Sequence, residues 1–239
     1  MRFKAIAVMA ATTALSLGMA GPALASPLSA NAKPAPQVTG TRLASALLPA
    51  SAFGDGFTVA DHLNTGNKLL STKARIKPSS LSCRTFEMFI FIGGFGDTAG
   101  AVDGVQNPNP ALEDPSVVLS DDQAVLQFKT TQAAASFYSQ AYARFKQCNA
   151  FTETSDNLQV ELTTQSLSST TINKDKAFQL IQHADIASLP AISFYQSTAF
   201  VLSGTNVYTI DDLGETNDPI PAPLLGTLIN RVQALYKHH

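Results

Sequence analysis

The most reactive side chains in this 239-residue chain belong to two cysteines, Cys83 and Cys148. The sequence has no Cys-x-x-Cys motif and no histidine near either cysteine, so a redox-active or catalytic thiol is the less favoured interpretation. Two cysteines in an exported chain most simply form one structural disulfide. We therefore predict a bridge between Cys83 and Cys148.

The histidines show no arrangement that is typical of a metal or catalytic site. They are His62, His183, His238 and His239. Neither a His-Glu-x-x-His motif nor a Gly-x-Ser-x-Gly motif is present. A triad could in principle use one of the many serines, but nothing in the sequence distinguishes one of them. The sequence therefore predicts no metal, no cofactor and no catalytic residue.

Acidic residues close to the C-terminus are the only candidates for a calcium site. They are Asp211, Asp212, Glu215 and Asp218. Their spacing does not match the EF-hand loop, so a solvated turn is the preferred interpretation. Asp121 and Asp122 are interpreted in the same way, as part of a turn at Ser120–Gln123.

An aromatic, glycine-rich segment is the candidate for the rim of a ligand pocket. Residues 93–97 read Gly-Gly-Phe-Gly-Asp and follow closely on Phe91. Pockets for small molecules are mostly apolar, with a few polar groups. We predict that Phe91, Phe95 and Asp97 contact a ligand. The alternative is a plain connection between a helix and a strand.

The N-terminal segment predicts export. Two basic residues precede the apolar stretch Ala5–Gly18, and Ala23-Leu24-Ala25 is a cleavage motif, so residues 1–25 are predicted to be a signal peptide cleaved after Ala25. The apolar stretch is shorter than the ~20 residues that span a bilayer. Residues 26–40 are rich in Pro, Ala and Ser, which predicts a flexible segment before the domain. Residues 41–239 are predicted to form a single domain.

The charge balance argues against nucleic acid as a partner. The chain has 16 Lys+Arg and 18 Asp+Glu, a formal net charge of −2, and no basic run. No stretch after the signal peptide is long and apolar enough to span a membrane, so we predict a secreted chain without a transmembrane segment.

The apolar periodicity predicts an α+β fold. Alternation at Ala124, Leu126 and Phe128 indicates a strand, and the spacing from Ala134 to Cys148 indicates an amphipathic helix capped by Thr130 or Thr131. Further helices are predicted over 78–91, which carries Cys83, and after Pro223. Most of the chain after Cys148 predicts strands, including a hairpin around Ser203–Asn206, although Ala177–His183 fits one or two helical turns. The expected layout is an antiparallel sheet with helices on one face.

Several motifs along the chain form a recognisable series. They are Leu47-Leu48-Pro49, Cys83 in an early helix, Val125–Phe128 before an alanine-rich helix, Phe145-Lys-Gln-Cys148, the hairpin Phe200–Tyr208 and the final helix. In this series the chain resembles the extracellular sensor-domain family of the actinobacterial kinase PknH, which also occurs in secreted proteins and lipoproteins. The resemblance implies one domain with a ligand cleft against the sheet. It also implies two disulfides, of which Cys83 and Cys148 match one pair and the other pair is missing. No kinase motif is present.

Together these features predict a secreted, monomeric, sensor-like domain that binds a small molecule or a cell-envelope component without catalysing a reaction. The expected pocket lies between the sheet and the segment that follows the Cys83 helix. A secreted hydrolase, or a cell-envelope structural or interaction protein, is the alternative.

Overall fold

The computed structural model describes residues 37–63, 82–83, 99–108, 118–155, 158–186 and 194–237. The helices are α1 (Gly40–Ser45), α2 (Thr131–Gln147) and α3 (Ala222–Tyr236), and a short 3-10 helix covers Ala50–Ala52. The strands are β1 (Thr58–Leu63), β2 (Ala99–Pro108), β3 (Val118–Gln127), β4 (Ala150–Ser155), β5 (Leu158–Ile172), β6 (Asp175–Ile186), β7 (Phe194–Ser203) and β8 (Asn206–Gly214). The predicted signal peptide lies outside the described residues.

The eight described strands form one antiparallel sheet in the order β1-β2-β3-β8-β7-β6-β5-β4. Strands β1 to β3 are neighbours in chain order, and so are strands β4 to β8. The two groups meet at the ladder between β3 and β8, which pairs Gln127 with Asn206 and Ser120 with Leu213. The predicted α+β fold with an antiparallel sheet is confirmed.

Two-residue turns set the register of the longest hairpins. Asn173 and Lys174 join β5 to β6 with φ values of 53° and 72°, as a type I′ turn requires. Gly204 has a φ of 60° at the first position of the turn between β7 and β8, where glycine is favoured. The hairpin predicted around Ser203–Asn206 is confirmed.

Helices cover both faces of the sheet, whereas the sequence predicted helices on one face. We call these the α2 face and the α3 face. On strand β6, Ala177 belongs to the core beneath α1 and α3, and Phe178 belongs to the core beneath α2. Because both faces are buried, this strand lacks the apolar–polar alternation of a half-exposed strand. The predicted helical turns at Ala177–His183 are therefore wrong.

Helix α2 packs on an aromatic cluster. The Thr130 side chain accepts a hydrogen bond from the backbone N–H of Ala133 at 3.1 Å, which caps the helix as predicted. The ring of Phe145 lies 5.4 Å from that of Phe200, which stacks on Phe178 at 4.6 Å. The predicted helix is confirmed.

The predicted disulfide is present at the end of α2. Cys148 follows the helix and is bonded to Cys83, with a Cα–Cα distance of 5.6 Å. The loop that this bond closes spans 65 residues. The other residues of the helix predicted over 78–91 lie outside the described residues, apart from Ser82.

Helices α1 and α3 cover the opposite face. Leu225, Leu228 and Val232 of α3 are fully buried, which confirms the predicted final helix. Gln123 of β3 donates to the carbonyl of Leu48 and accepts from its N–H, both at 2.8 Å, so the segment after α1 is fastened to the sheet. No helix of the described ranges is long and apolar enough to cross a membrane.

Candidate functional site: a carboxyl pocket

Four aspartates lie together where β3 pairs with β8. Asp121 is opposite Asp212, and Asp122 is opposite Asp211. Consecutive residues of a strand point to opposite faces of the sheet, so Asp121 and Asp212 share the α3 face, and Asp122 and Asp211 share the α2 face. The interpretation of both pairs as solvated turns is wrong, because both pairs lie within strands.

A pocket of about 590 Å³ opens on the α3 face at this point. Asp121 and Asp212 line it from the sheet. The aromatic rings of Phe53 and Phe57 line it as well, with centroids 6.4 Å apart, and so does Leu224 of α3. This volume is in the usual range for small-molecule sites, which are mostly apolar with a few polar groups. We call this site the carboxyl pocket.

The segment between β8 and α3 forms another part of the pocket lining, and hydrogen bonds hold it against the sheet. Ser197 of β7 donates to the carbonyl of Asp218 at 2.8 Å, and Gln179 of β6 donates to the carbonyl of Ile220 at 3.1 Å. Asp218 and Ile220 both contribute to the pocket lining. The pocket therefore has a fixed boundary on this side as well as on the sheet.

Asp121 and Asp212 form a hydrogen-bonded carboxyl pair. Burial, together with the negative charges of Asp212, Asp211 and Asp122, raises the pKa of Asp121 to about 9. The pKa of Asp212 is also raised, chiefly by burial. At neutral pH Asp121 therefore keeps its proton and can donate it to Asp212. Such a pair combines a hydrogen-bond donor and acceptor oxygens in one small area.

On the α2 face, Asp211 is buried among neutral polar side chains. It is only 7% exposed. It accepts a hydrogen bond from the Thr198 hydroxyl and one from the Gln196 side chain at 3.0 Å. Burial raises the pKa of Asp211 to about 8, although these two hydrogen bonds lower it. Asp211 therefore holds its proton in the folded protein below about pH 8.

Two further polar side chains on this face have buried groups without partners. Gln182 and Thr209 are fully buried, and neither the amide of Gln182 nor the hydroxyl of Thr209 has a hydrogen-bond partner. Buried polar groups are almost always paired with protein or water, so these two require an explanation. We call Gln182, Thr198, Thr209 and Asp211, together with the half-buried Gln196, the buried polar row.

His183 is the histidine whose side-chain contacts the structure describes. Its Nδ1 lies 3.2 Å from the Asp185 carboxylate, and its ring lies 5.1 Å from that of Tyr195. Within the described ranges, no serine or threonine hydroxyl bonds to it, and no group of three or more His, Cys, Asp or Glu side chains is placed to hold a metal.

The predicted ligand-binding residues Phe91, Phe95 and Asp97 lie outside the described residues, as does the pocket expected beside them. The sequence missed the carboxyl pocket. One signal could have indicated it: the chain contains two Asp-Asp pairs, and each adjoins an apolar strand segment, Ala124–Phe128 or Val207–Ile210. Two such pairs can face each other if the strands are neighbours.

These elements define an α+β domain in which one antiparallel sheet carries helices on both faces. The fold is similar to that of the extracellular domain of PknH from Mycobacterium tuberculosis, with a TM-score of 0.52. The alignment covers 84% of this chain and 98% of that domain at 13% identity, so the similarity shows a common fold alone. No family model and no curated protein matches the sequence.

Proposed function

We propose that this protein is an exported, sensor-like domain that binds a small molecule in the carboxyl pocket and catalyses no reaction. The observation that carries the proposal is the pocket of about 590 Å³. It combines aromatic and aliphatic lining with a carboxyl pair, as specific binding sites do. The similarity in fold to an extracellular domain supports an extracellular location.

The surroundings of the carboxyl pair support binding over nucleophilic catalysis. Within the described ranges, no histidine contacts Asp121 or Asp212, and His183 has no hydroxyl partner that it could activate. A triad requires a nucleophile and a base within hydrogen-bond reach of each other.

A secreted hydrolase is the second candidate, and the shared proton of Asp121 and Asp212 favours it. Two carboxyls of unequal pKa can act as general acid and general base. Peptide, ester and glycoside substrates with fluorescent leaving groups would test this at pH 5 and pH 7. If the wild-type chain hydrolyses a substrate and both Asp121→Asn and Asp212→Asn lose that activity, the hydrolase function would replace our proposal.

Filling the pocket tests the proposed function directly. Ala52 lines the pocket and is exposed, so Ala52→Trp should place an indole in it without disturbing the core. Ser51, which is exposed in the same 3-10 helix and does not line the pocket, provides the matched control Ser51→Trp. Saturation-transfer NMR against a panel of amines, sugars, amino acids and short lipids should give ligands for the wild type and for Ser51→Trp. Ligands that bind Ala52→Trp equally well would show that the pocket is not the site.

Export has its own test. The mature chain in a culture supernatant should begin at Ser26, and mass spectrometry would show this. A secreted chain that still carries Met1 would contradict signal-peptide cleavage after Ala25. A monomer is expected, and light scattering of the mature chain would reveal a larger species.

A further inference from the structure

We propose that the carboxyl pocket selects a small organic cation, whose ammonium group contacts Asp121 and Asp212 and whose apolar body lies against Phe53, Phe57 and Leu224. This inference rests on the proposed function, because it names the ligand class of the same pocket.

The charges around the carboxyl pair are the first reason. Asp121 is 5% exposed, and it lines the pocket together with Asp212. The groups whose charges act on it are Asp122, Asp211 and Asp218, and all of them are acidic. No lysine, arginine or histidine of the described ranges forms an ion pair with Asp121 or Asp212. Buried carboxylates are costly unless a cation or strong donors neutralise them. A bound ligand would supply the missing positive charge.

The aromatic lining is an independent second reason. Phe53 and Phe57 lie on a segment that is separate in sequence from both aspartates, and their rings are tilted by 43° with centroids 6.4 Å apart. The face of an aromatic ring attracts ammonium groups, most strongly where water is excluded. Aromatic rings and carboxylates around one cavity are the combination that recognises alkylated ammonium ions.

The start of α3 argues against an anionic ligand. Helix N-termini bind anions through free backbone N–H groups. Here Pro221 is the N-cap residue and Pro223 lies in the first turn; both line the pocket, and proline has no N–H. The N–H groups of Leu224 and Leu225 are already bonded to the carbonyl of Pro221. The helix therefore offers few donors to an anion.

Binding of a cation should release the proton that the pair shares. At neutral pH Asp121 is protonated because its pKa is raised to about 9. An ammonium group is accommodated best by two carboxylates, so the Asp121 proton passes to solvent as the cation enters. The affinity for a cation of fixed charge should then rise with pH below about 9, by up to about tenfold per pH unit. Asp218, Asp122 and Asp211 are the other titrating groups near the pair, and none of them is basic.

Benzyltrimethylammonium is a suitable probe, because it carries an aromatic ring and a charge that does not titrate. Benzyl alcohol is the neutral comparison. Calorimetric titration of the mature chain at pH 6, 7 and 8 should show the cation binding at least about tenfold more tightly than the alcohol at pH 8. Proton release, measured in two buffers of different ionisation enthalpy, should approach one per cation at pH 7.

Three variants separate this inference from the proposed function. Asp212→Asn should weaken the cation about tenfold, and Asp121→Asn should abolish both the pH dependence and the proton release. Glu161→Gln is the control and should leave the pH dependence and the proton release unchanged, because Glu161 is exposed, does not line the pocket and does not act on the charge of the pair. The cation inference would be overturned if cation and alcohol bound equally well and only Ala52→Trp removed their binding. In that case the pocket would still be a binding site. If neither probe nor any panel compound binds the wild type, both proposals are wrong.

Discussion

Replacing Asp211 by asparagine tests whether this buried carboxyl is protonated in the folded protein. The pKa of Asp211 is raised from 3.8 to about 8 by burial. Between these two values the folded chain holds one proton more than the unfolded chain does. A group that binds protons more tightly in the folded state makes the free energy of unfolding fall as pH rises. The stability that comes from this proton is fully present below about pH 4 and is lost as the pH approaches 8.

The size of the effect follows from the single proton involved. One proton corresponds to at most about 1.4 kcal/mol per pH unit, so Asp211 should reduce the free energy of unfolding by up to about 3 kcal/mol between pH 5 and pH 7. Asparagine has nearly the same shape, can still bond to Thr198 and Gln196, and does not titrate. The variant Asp211→Asn should therefore gain up to about 3 kcal/mol relative to wild type over the same interval.

Urea unfolding followed by circular dichroism at pH 5, 6 and 7 would measure this difference. Glu161→Gln is the control, because Glu161 is exposed and lies outside the buried polar row. The wild type and the control should lose stability in parallel, and Asp211→Asn should lose less. Parallel curves for all three proteins would refute the reasoning, since Asp211 would then be ionised in the folded state.

Four further substitutions test the packing and the buried polar row, and urea unfolding measures each of them. Cys148→Ser opens a 65-residue loop and should cost about 4 kcal/mol; a midpoint equal to that of the oxidised wild type would contradict this. Phe178→Ala removes the ring that stacks on Phe200 at 4.6 Å and should cost about 3–5 kcal/mol, so a loss below about 1 kcal/mol would exclude its central place in the core. Thr209→Val should be nearly neutral, because the Thr209 hydroxyl has no hydrogen-bond partner. Thr198→Val should cost about 1–3 kcal/mol, because the Thr198 hydroxyl donates to Asp211. Equal effects of the two substitutions would show that this difference in hydrogen bonding is unimportant for stability.

Local patterns in the sequence were sufficient for the elements that have one buried stripe or a marked turn. Helix α2 follows from the spacing of Ala134, Phe137, Ala141 and Phe145 after a capping threonine. The hairpin at Gly204 follows from a turn residue between two apolar runs. Strand β6 could not be recognised, because helices bury both of its faces and its side chains therefore lack a period of two.

The carboxyl pocket could not be predicted because it depends on long-range register. Asp121 and Asp212 are brought together by the β3–β8 ladder, and nothing in the residues around either one shows that pairing. A short acidic sequence has the same local appearance in a solvated turn and in a buried strand. The two aspartates share a pocket lining with Phe53 and Phe57, which lie far from both of them in the chain.

The ladder between β3 and β8 also has a consequence for the order in which the chain folds. Neighbouring strands from β4 to β8 are joined by short connections, whereas the ladder joins residues as distant as Ser120 and Leu213. Closing a long loop costs more entropy than closing a short one, and contacts distant in sequence slow folding. We therefore expect the hairpins of β4–β8 to form first and the β3–β8 ladder to form late. The carboxyl pocket spans that ladder, so it would be completed in one of the last steps of folding.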